Sequence, residues 1–250
     1  MLKIKLIRKQ RGESFAPLWC IFMRKNIYIV SLGGSLIVPA AGVDTGFLKK
    51  FRTLIIQRIK QGDNFIIVTG GGRTARDYIR AADRVVEVSP EDSDWLGIHS
   101  TRLNAHLVRT ILFDVACPEI ITNPHEVIKT NKPVIIATGY RPGNSTDYIA
   151  TLLAKKYKVK KIINLSDIDY VCDKDPKKFK DARKISQMTW SAFQKIVGFK
   201  WRPGLNAPFD PLAAKLAGQE GLEVAVLNGH KLSNLEKYLD NEKFIGTIIK

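Results

Sequence analysis

Three consecutive glycines close a short apolar run, Phe65-Ile66-Ile67-Val68-Thr69-Gly70-Gly71-Gly72, and no other block constrains the fold as much. The run reads as a buried strand that opens onto a helix beginning Thr74-Ala75-Arg76-Asp77-Tyr78-Ile79. Glycine lets the backbone turn sharply and come close to a ligand, and a helix start presents unbonded N–H groups to an anion. The device occurs twice, because Ile27-Tyr28-Ile29-Val30-Ser31-Leu32 runs into Gly33-Gly34-Ser35. Two such strand ends in one domain suggest a site that grips phosphate from two sides.

From Asn26 onward, strand-like and helix-like stretches alternate, which predicts a mostly parallel sheet with helices on both faces. Strands are expected at 27–32, 65–69, 133–137, 161–165 and 223–227, with a short one at Ile120-Ile121 and a terminal one near 244–249. Helices are expected near 46–60, from Thr74 to Ala82, near 92–113, from Tyr148 to Lys156 and at 231–239. At 250 residues the chain suits one large α/β domain or two closely packed lobes. In open α/β sheets, ligands sit beyond the carboxyl ends of the strands. Every unusual loop falls there: Gly33-Gly34, Gly70 to Gly72, Gly139 to Asp147, and Ser166 to Pro176. One such loop could simply close a turn, but four of them argue for a composite site.

The formal net charge of +16 fits phosphorylated substrates, a nucleic-acid partner or a lysine-rich surface. The basic residues are spread out and form no zinc-finger or RNP-type pattern, so a nucleic-acid partner is not expected. Cys20, Cys117 and Cys172 are odd in number and widely spaced, which reads as reduced thiols in a cytoplasmic protein. The four histidines make no metal-binding spacing, and no metal-ligating set is assigned. No stretch approaches the roughly 20 apolar residues that span a bilayer. Residues 1–22 do not fit the rest; Met23-Arg24-Lys25-Asn26 leads directly into the first strand, so Met23 is read as the start of the folded chain and 1–22 as an extension outside it.

A Walker A loop would need GxxxxGK followed by Ser or Thr, and the chain has none. Gly70-Gly71-Gly72-Arg73-Thr74-Ala75 satisfies a dinucleotide fingerprint, with Glu91 and Asp92 about 20 residues on, but that reading ignores the other three loops. Taken in order, Gly33-Gly34-Ser35, Gly70-Gly71-Gly72 with Ala75-Arg76-Asp77-Tyr78, Leu96-Gly97-Ile98, Thr101-Arg102-Leu103-Asn104-Ala105, Pro142-Gly143-Asn144-Ser145-Thr146-Asp147, Asn164 to Pro176 and Asp210-Pro211-Leu212-Ala213-Ala214-Lys215 resemble the amino-acid-kinase superfamily. Within it they resemble the archaeal-type uridylate kinases, over roughly residues 24–250.

The resemblance implies a three-layer αβα sandwich, with a UMP-side lobe over about 26–160 and an ATP-side lobe over 161–250. It implies transfer of the ATP γ-phosphoryl group to UMP, with Mg²⁺ carried with ATP, in a cytoplasmic hexamer. Residue by residue, Gly33, Gly34, Ser35, Gly72 and Arg76 resemble contacts to the ATP phosphates, and Ser166, Asp167, Cys172 and Asp175 fall where the family holds the rest of ATP. Gly71, Asp94 and the loop Tyr140, Arg141, Pro142, Gly143, Asn144, Ser145 and Thr146 resemble the UMP side, with Asp94 accepting from ribose hydroxyls. Arg76 and Asp147 are the candidate catalytic residues, although Asp147 also fits a helix cap and Arg76 a solvated helix position. Arg102 and Asn104 are expected to brace the long helix, and Asp210-Pro211 to start another.

Two departures stand out. Many superfamily members carry a lysine where Ser31 stands, so another cation must act, with Arg76, Arg141, Lys174 and Lys215 as candidates. The family's Val-Asp-Gly-Val-Tyr becomes Ile168-Asp169-Tyr170-Val171-Cys172, which removes a ring that could lie beside adenine. The competing readings are a kinase of the same superfamily acting on isopentenyl phosphate or a carbamate, a non-catalytic nucleotide-binding protein, and an RNA-associated basic protein.

Overall fold

The computed structural model describes residues 26–199 and 207–250; the expected extension over 1–22 lies outside them. Strand β1 (Asn26–Leu32) lies at the middle of the sheet, with β2 (Asp63–Thr69) on one side and β5 (Lys161–Ser166) on the other, both parallel to it. Beyond β2 come β4 (Val134–Ala137) and the edge strand β3 (Ala116–Ile121); beyond β5 come β9 (Glu223–Asn228), β10 (Thr247–Ile249) and β8 (Gln187–Met188). Only β10 against β9 is antiparallel in this eight-stranded sheet. A separate hairpin of β6 (Val171–Cys172) and β7 (Lys184–Ile185) projects after β5.

Alternation along the strands divides the core in two. Ile29, Ile66 and Val68 face a layer that includes Ile149, Leu153, Phe193 and Ala213. Val30, Leu32, Phe65 and Ile67 face the opposite layer, with Phe51, Ile55, Val108 and Leu235. The first layer is built from α5 (Thr146–Lys156), α6 (Trp190–Val197) and α7 (Pro211–Gln219); the second from α2 (Thr45–Lys60), α4 (Pro90–Ile111) and α8 (Leu232–Leu239). The expected αβα sandwich is therefore observed. A short helix α1 (Gly34–Ile37) follows β1, and α3 (Gly72–Asp83) follows β2.

Local chemistry sets the helix starts. Asp44 accepts from the Phe47 amide at 2.8 Å ahead of α2, and Ser89 accepts from Asp92 at 3.1 Å ahead of Pro90, Glu91 and Asp92 in α4. Ser145 caps α5 through Tyr148, Thr189 caps α6 through Ala192, and Asp210 caps α7 through Ala213. Several boundaries differ from expectation: α3 starts at Gly72, α4 at Pro90, and β10 is confined to Thr247–Ile249. β3 extends back to Ala116, across Pro118, because a register shift between Ala116 and Ile120 at the sheet edge tolerates a residue without an N–H.

The connection from β1 goes to β2 on one flank, and the chain later returns to place β5 on the other. The carboxyl ends of β1 and β5 therefore form a topological switch point, where open α/β sheets bind ligands. Among the described residues, no helix is long and apolar enough to cross a membrane.

Candidate functional site

The two glycine loops meet at that crevice. Gly33 donates to the Leu165 carbonyl at 2.8 Å, and Gly70 donates to the Leu32 carbonyl at 2.9 Å, so the first loop is tied to both neighbouring strands. A Cβ on Gly34 would lie 2.6 Å from the Gly70 carbonyl carbon and equally close to Gly72 Cα. A Cβ on Gly72, where φ is +65°, would strike the Gly34 backbone. These glycines permit main chain to pack directly on main chain. The Arg73 amide reaches Val38 O at 2.9 Å and fastens the start of α3 to the end of α1. No side-chain cap forms at Gly71 among the described residues; Arg73 N is spent on Val38 O and Ala75 N on Gly71 O, which leaves the Gly72 and Thr74 amides of the first turn for an anion.

Asn104 of α4 donates its side-chain amide to Gly70 O at 2.7 Å and to Gly71 O at 3.2 Å. Three residues earlier on the same helix, the Thr101 hydroxyl accepts from Gly139 N at 2.9 Å. Asn104 was expected to brace the helix; it braces the triple-glycine loop instead. The buried Nε of Arg102 has no hydrogen-bond partner among the described residues.

The loop from Gly139 to Ser145 lies along α4. Asp94 accepts from the Gly143 amide at 2.8 Å. Burial raises the Asp94 pKa, and this amide partly opposes the rise. Within the loop, Asn144 N donates to Arg141 O at 3.2 Å, and the Arg141 guanidinium lies 5.5 Å from the centre of the Tyr140 ring. His125 meets that ring edge-on at 5.8 Å. Ser145 caps α5, so Thr146 and Asp147 occupy its first turn.

Asp147 is where the two halves join. Its Oδ1 accepts from the Ser31 hydroxyl at 2.8 Å, and its Oδ2 accepts from the Asp210 amide at 3.1 Å. Ser31 is nearly inaccessible on the central strand. Desolvation pushes the Asp147 carboxyl up to about 6; the Asp210 charge adds to that, while the Ser31 and Asp210 hydrogen bonds oppose it. Asp210 is buried, and desolvation raises its pKa too. Its Oδ1 caps α7; its Oδ2 has no partner in hydrogen-bond geometry among the described residues, though the Ser145 hydroxyl is near enough to steady its charge. Paired hard carboxylate oxygens with spare coordination capacity suit Mg²⁺. Asp210 was expected only to start a helix; its contact with Asp147 joins residues 63 apart and leaves no signature in spacing.

The donor-side candidates line the loops after β5. Ser166 O accepts from Gly229 N at 2.8 Å, and Asp167 is exposed beside it. Asp169, which the sequence reading had noted only as part of the altered motif, is held by Lys231 Nζ at 2.8 Å to each oxygen and by Asn228 at 3.0 Å. Those hydrogen bonds, led by the lysine's, lower its pKa. Tyr170 is half-buried, with Lys184 Nζ 5.7 Å from its ring centre. Cys172 is a free thiol in β6. Asp175 is exposed and accepts from the Lys177 amide at 2.9 Å, capping its own turn.

The four candidate cations are also distributed unevenly. Lys174 is paired with Asp181 at 2.6 Å in the hairpin, Lys215 is exposed on α7, and Arg141 packs on Tyr140. Arg76 is exposed on α3 one turn beyond Gly72 and forms no ion pair among the described residues, whereas its neighbours Arg73 and Arg80 both hold Asp77.

Comparison with known proteins points the same way. The model of the Amino acid kinase family matches residues 26–228. The uridylate kinase of Methanospirillum hungatei is 32% identical over 225 residues, covering 88% of this chain and 93% of that protein. The uridylate kinase of Sulfurisphaera tokodaii is 33% identical over 203 residues, covering 80% and 89%. The crystal structure of uridylate kinase from Archaeoglobus fulgidus matches with a TM-score of 0.76 at 29% identity, covering 89% of this chain and 99% of that one.

Proposed function

Because the chain belongs to the amino acid kinase family, we propose that it is a uridylate kinase, transferring the γ-phosphoryl group of ATP to UMP to release UDP and ADP. The observation that carries this reading is the contact of the two glycine loops at the ends of adjacent parallel strands, Gly34 against Gly70 and Gly72. Anion sites on the two loops would then lie side by side, as in-line transfer between two phosphates requires.

In this reading Gly33, Gly34, Ser35, Gly72 and Arg76 hold the ATP phosphates, and Ser166, Asp167, Cys172 and Asp175 hold the remainder of ATP. Gly71, Asp94 and the loop Tyr140, Arg141, Pro142, Gly143, Asn144, Ser145 and Thr146 hold UMP. An oxygen of the UMP phosphate forms the new bond to the γ-phosphorus as the bond to the ADP oxygen breaks. Near neutral pH that phosphate is already largely dianionic, with a second pKa of about 6, so no residue need remove a proton from it. Arg76 neutralises charge on the transferring group. Asp147 acts by fixing Ser31, beside the donor loop, to the start of α7. Asp147 and Asp210 are the residues that would hold a Mg²⁺ carried with ATP, which would supply charge screening for the phosphates.

The enzyme is read as cytoplasmic and as a homo-oligomer, with a hexamer expected. The exposed Trp95, Leu103 and Phe113 on and just after α4, with Tyr78, Val85 and Val86 on and after α3, support self-association. An ADP-release assay across UMP, CMP, GMP, isopentenyl phosphate and carbamate tests the proposal. Turnover is expected with UMP above the others; absence of UDP formation with Mg²⁺ and ATP would reject it.

A further inference from the structure

The acceptor loop is held against α4 at two points. Thr101 takes the Gly139 amide at 2.9 Å, and Asp94 takes the Gly143 amide at 2.8 Å. Positions 94 and 101 are seven residues apart, so they stand on one face of the helix about 10 Å from each other. That spacing matches the run of loop from 139 to 143 laid beside them. The Gly139 end is fixed by close packing as well, because a Cβ there would lie 3.1 Å from Thr101 Oγ1 and 3.3 Å from Ile98. Gly143 has no such support: space around it is open, and its φ of +80° leaves it in the left-handed region. Its amide bond to Asp94 Oδ2 is therefore the tether that sets the path of the loop into Ser145 and α5. The other carboxylate oxygen makes no hydrogen bond among the described residues.

We propose that Asp94 is a positioning residue that closes the acceptor loop through the Gly143 amide in the empty enzyme, one oxygen serving the loop and the other left for the ribose. The second half of this rests on the uridylate kinase reading; the first does not. A ligand contact alone would make Asp94 idle until UMP arrives. A tether makes it work beforehand, and a side chain that keeps one acceptor oxygen would preserve that work.

Amide hydrogen exchange on the nucleotide-free full chain tests the tether. In the wild type, Gly143 should exchange at least about 10-fold more slowly than the exposed Arg141 in the same loop. D94A should remove that protection, and D94N, whose amide oxygen still accepts, should keep most of it. In steady state D94A should raise KM by about 10-fold or more for 2′-deoxy-UMP as well as for UMP, the rise for UMP being the larger because the ribose contact goes too, with a smaller change in kcat. Fast exchange at Gly143 in the unaltered protein would overturn the proposal without recourse to any variant. So would D94A leaving Gly143 protected while erasing only the preference for UMP over its 2′-deoxy form. A chain that protects Gly143 but does not phosphorylate UMP would sink the functional reading and leave the tether standing.

Discussion

Asp147 shows how much chemistry one carboxylate gathers when three elements converge on it. It joins β1 through Ser31 and α7 through Asp210, and burial moves it from the ordinary 3.8 to about 6. A raised folded-state value means the native protein keeps this proton after the unfolded chain has lost it. The group therefore contributes stability that is complete below pH 4 and is lost as the pH rises through 6. Above neutrality the ionised carboxylate costs up to about 3 kcal/mol, and D147N removes that cost while retaining groups that can bond Ser31 and Asp210. Urea midpoints should show D147N gaining stability on the wild type between pH 4.5 and 7.5, with catalysis impaired; parallel curves would contradict the assignment. Arg76 lacks the pairing that occupies Arg73 and Arg80. R76A should lower kcat/KM by about 10²-fold or more, the scale of a lost preorganised charge at a transition state, and near-wild-type kinetics would return Arg76 to the solvated surface.

Helix α4 organises the site more than any other element. Its Asn104 holds the triple-glycine loop, its Thr101 and Asp94 hold the acceptor loop, and Ala105 and Val108, on the same side as Thr101 and Asn104, pack into the core. N104A would leave the buried Gly70 carbonyl short of a partner, at a cost of about 1–3 kcal/mol, while Gly71 O keeps the Ala75 amide. It should also raise KM for both substrates, since both glycine cradles depend on that loop; a change confined to one substrate would speak against the shared-loop account. The helix α4 was legible, but its start was expected near 92, although Ser89-Pro90-Glu91-Asp92 is a cap followed by acids that favour a helix start. The function of Asn104 was not legible, because its partners lie 34 and 33 residues away. β3 was half hidden by Pro118, which the sheet edge accommodates, and the β6–β7 hairpin pairs stretches too short to show a period. Glycine runs announced where the chain turns, while Gly34 packing on Gly72 could only be seen once both loops were in place.

For the whole molecule, strand order brings these pieces to a single crevice. β1 lies between β2 and β5, so loops that begin at Gly33, Gly70 and Ser166 share one edge of the sheet, and α5 adds Asp147 from the layer beneath. The account rests on donor and acceptor phosphates lying end to end across the paired glycine loops. The most direct measurement is the affinity of a bisubstrate analogue in which a polyphosphate chain joins adenosine to uridine, compared with ATP and UMP separately. Linking two ligands that occupy adjoining sites should tighten binding by about 10²-fold or more over the better single ligand. An affinity no better than that of ATP or UMP alone would mean that the two sites do not adjoin, and would contradict the account.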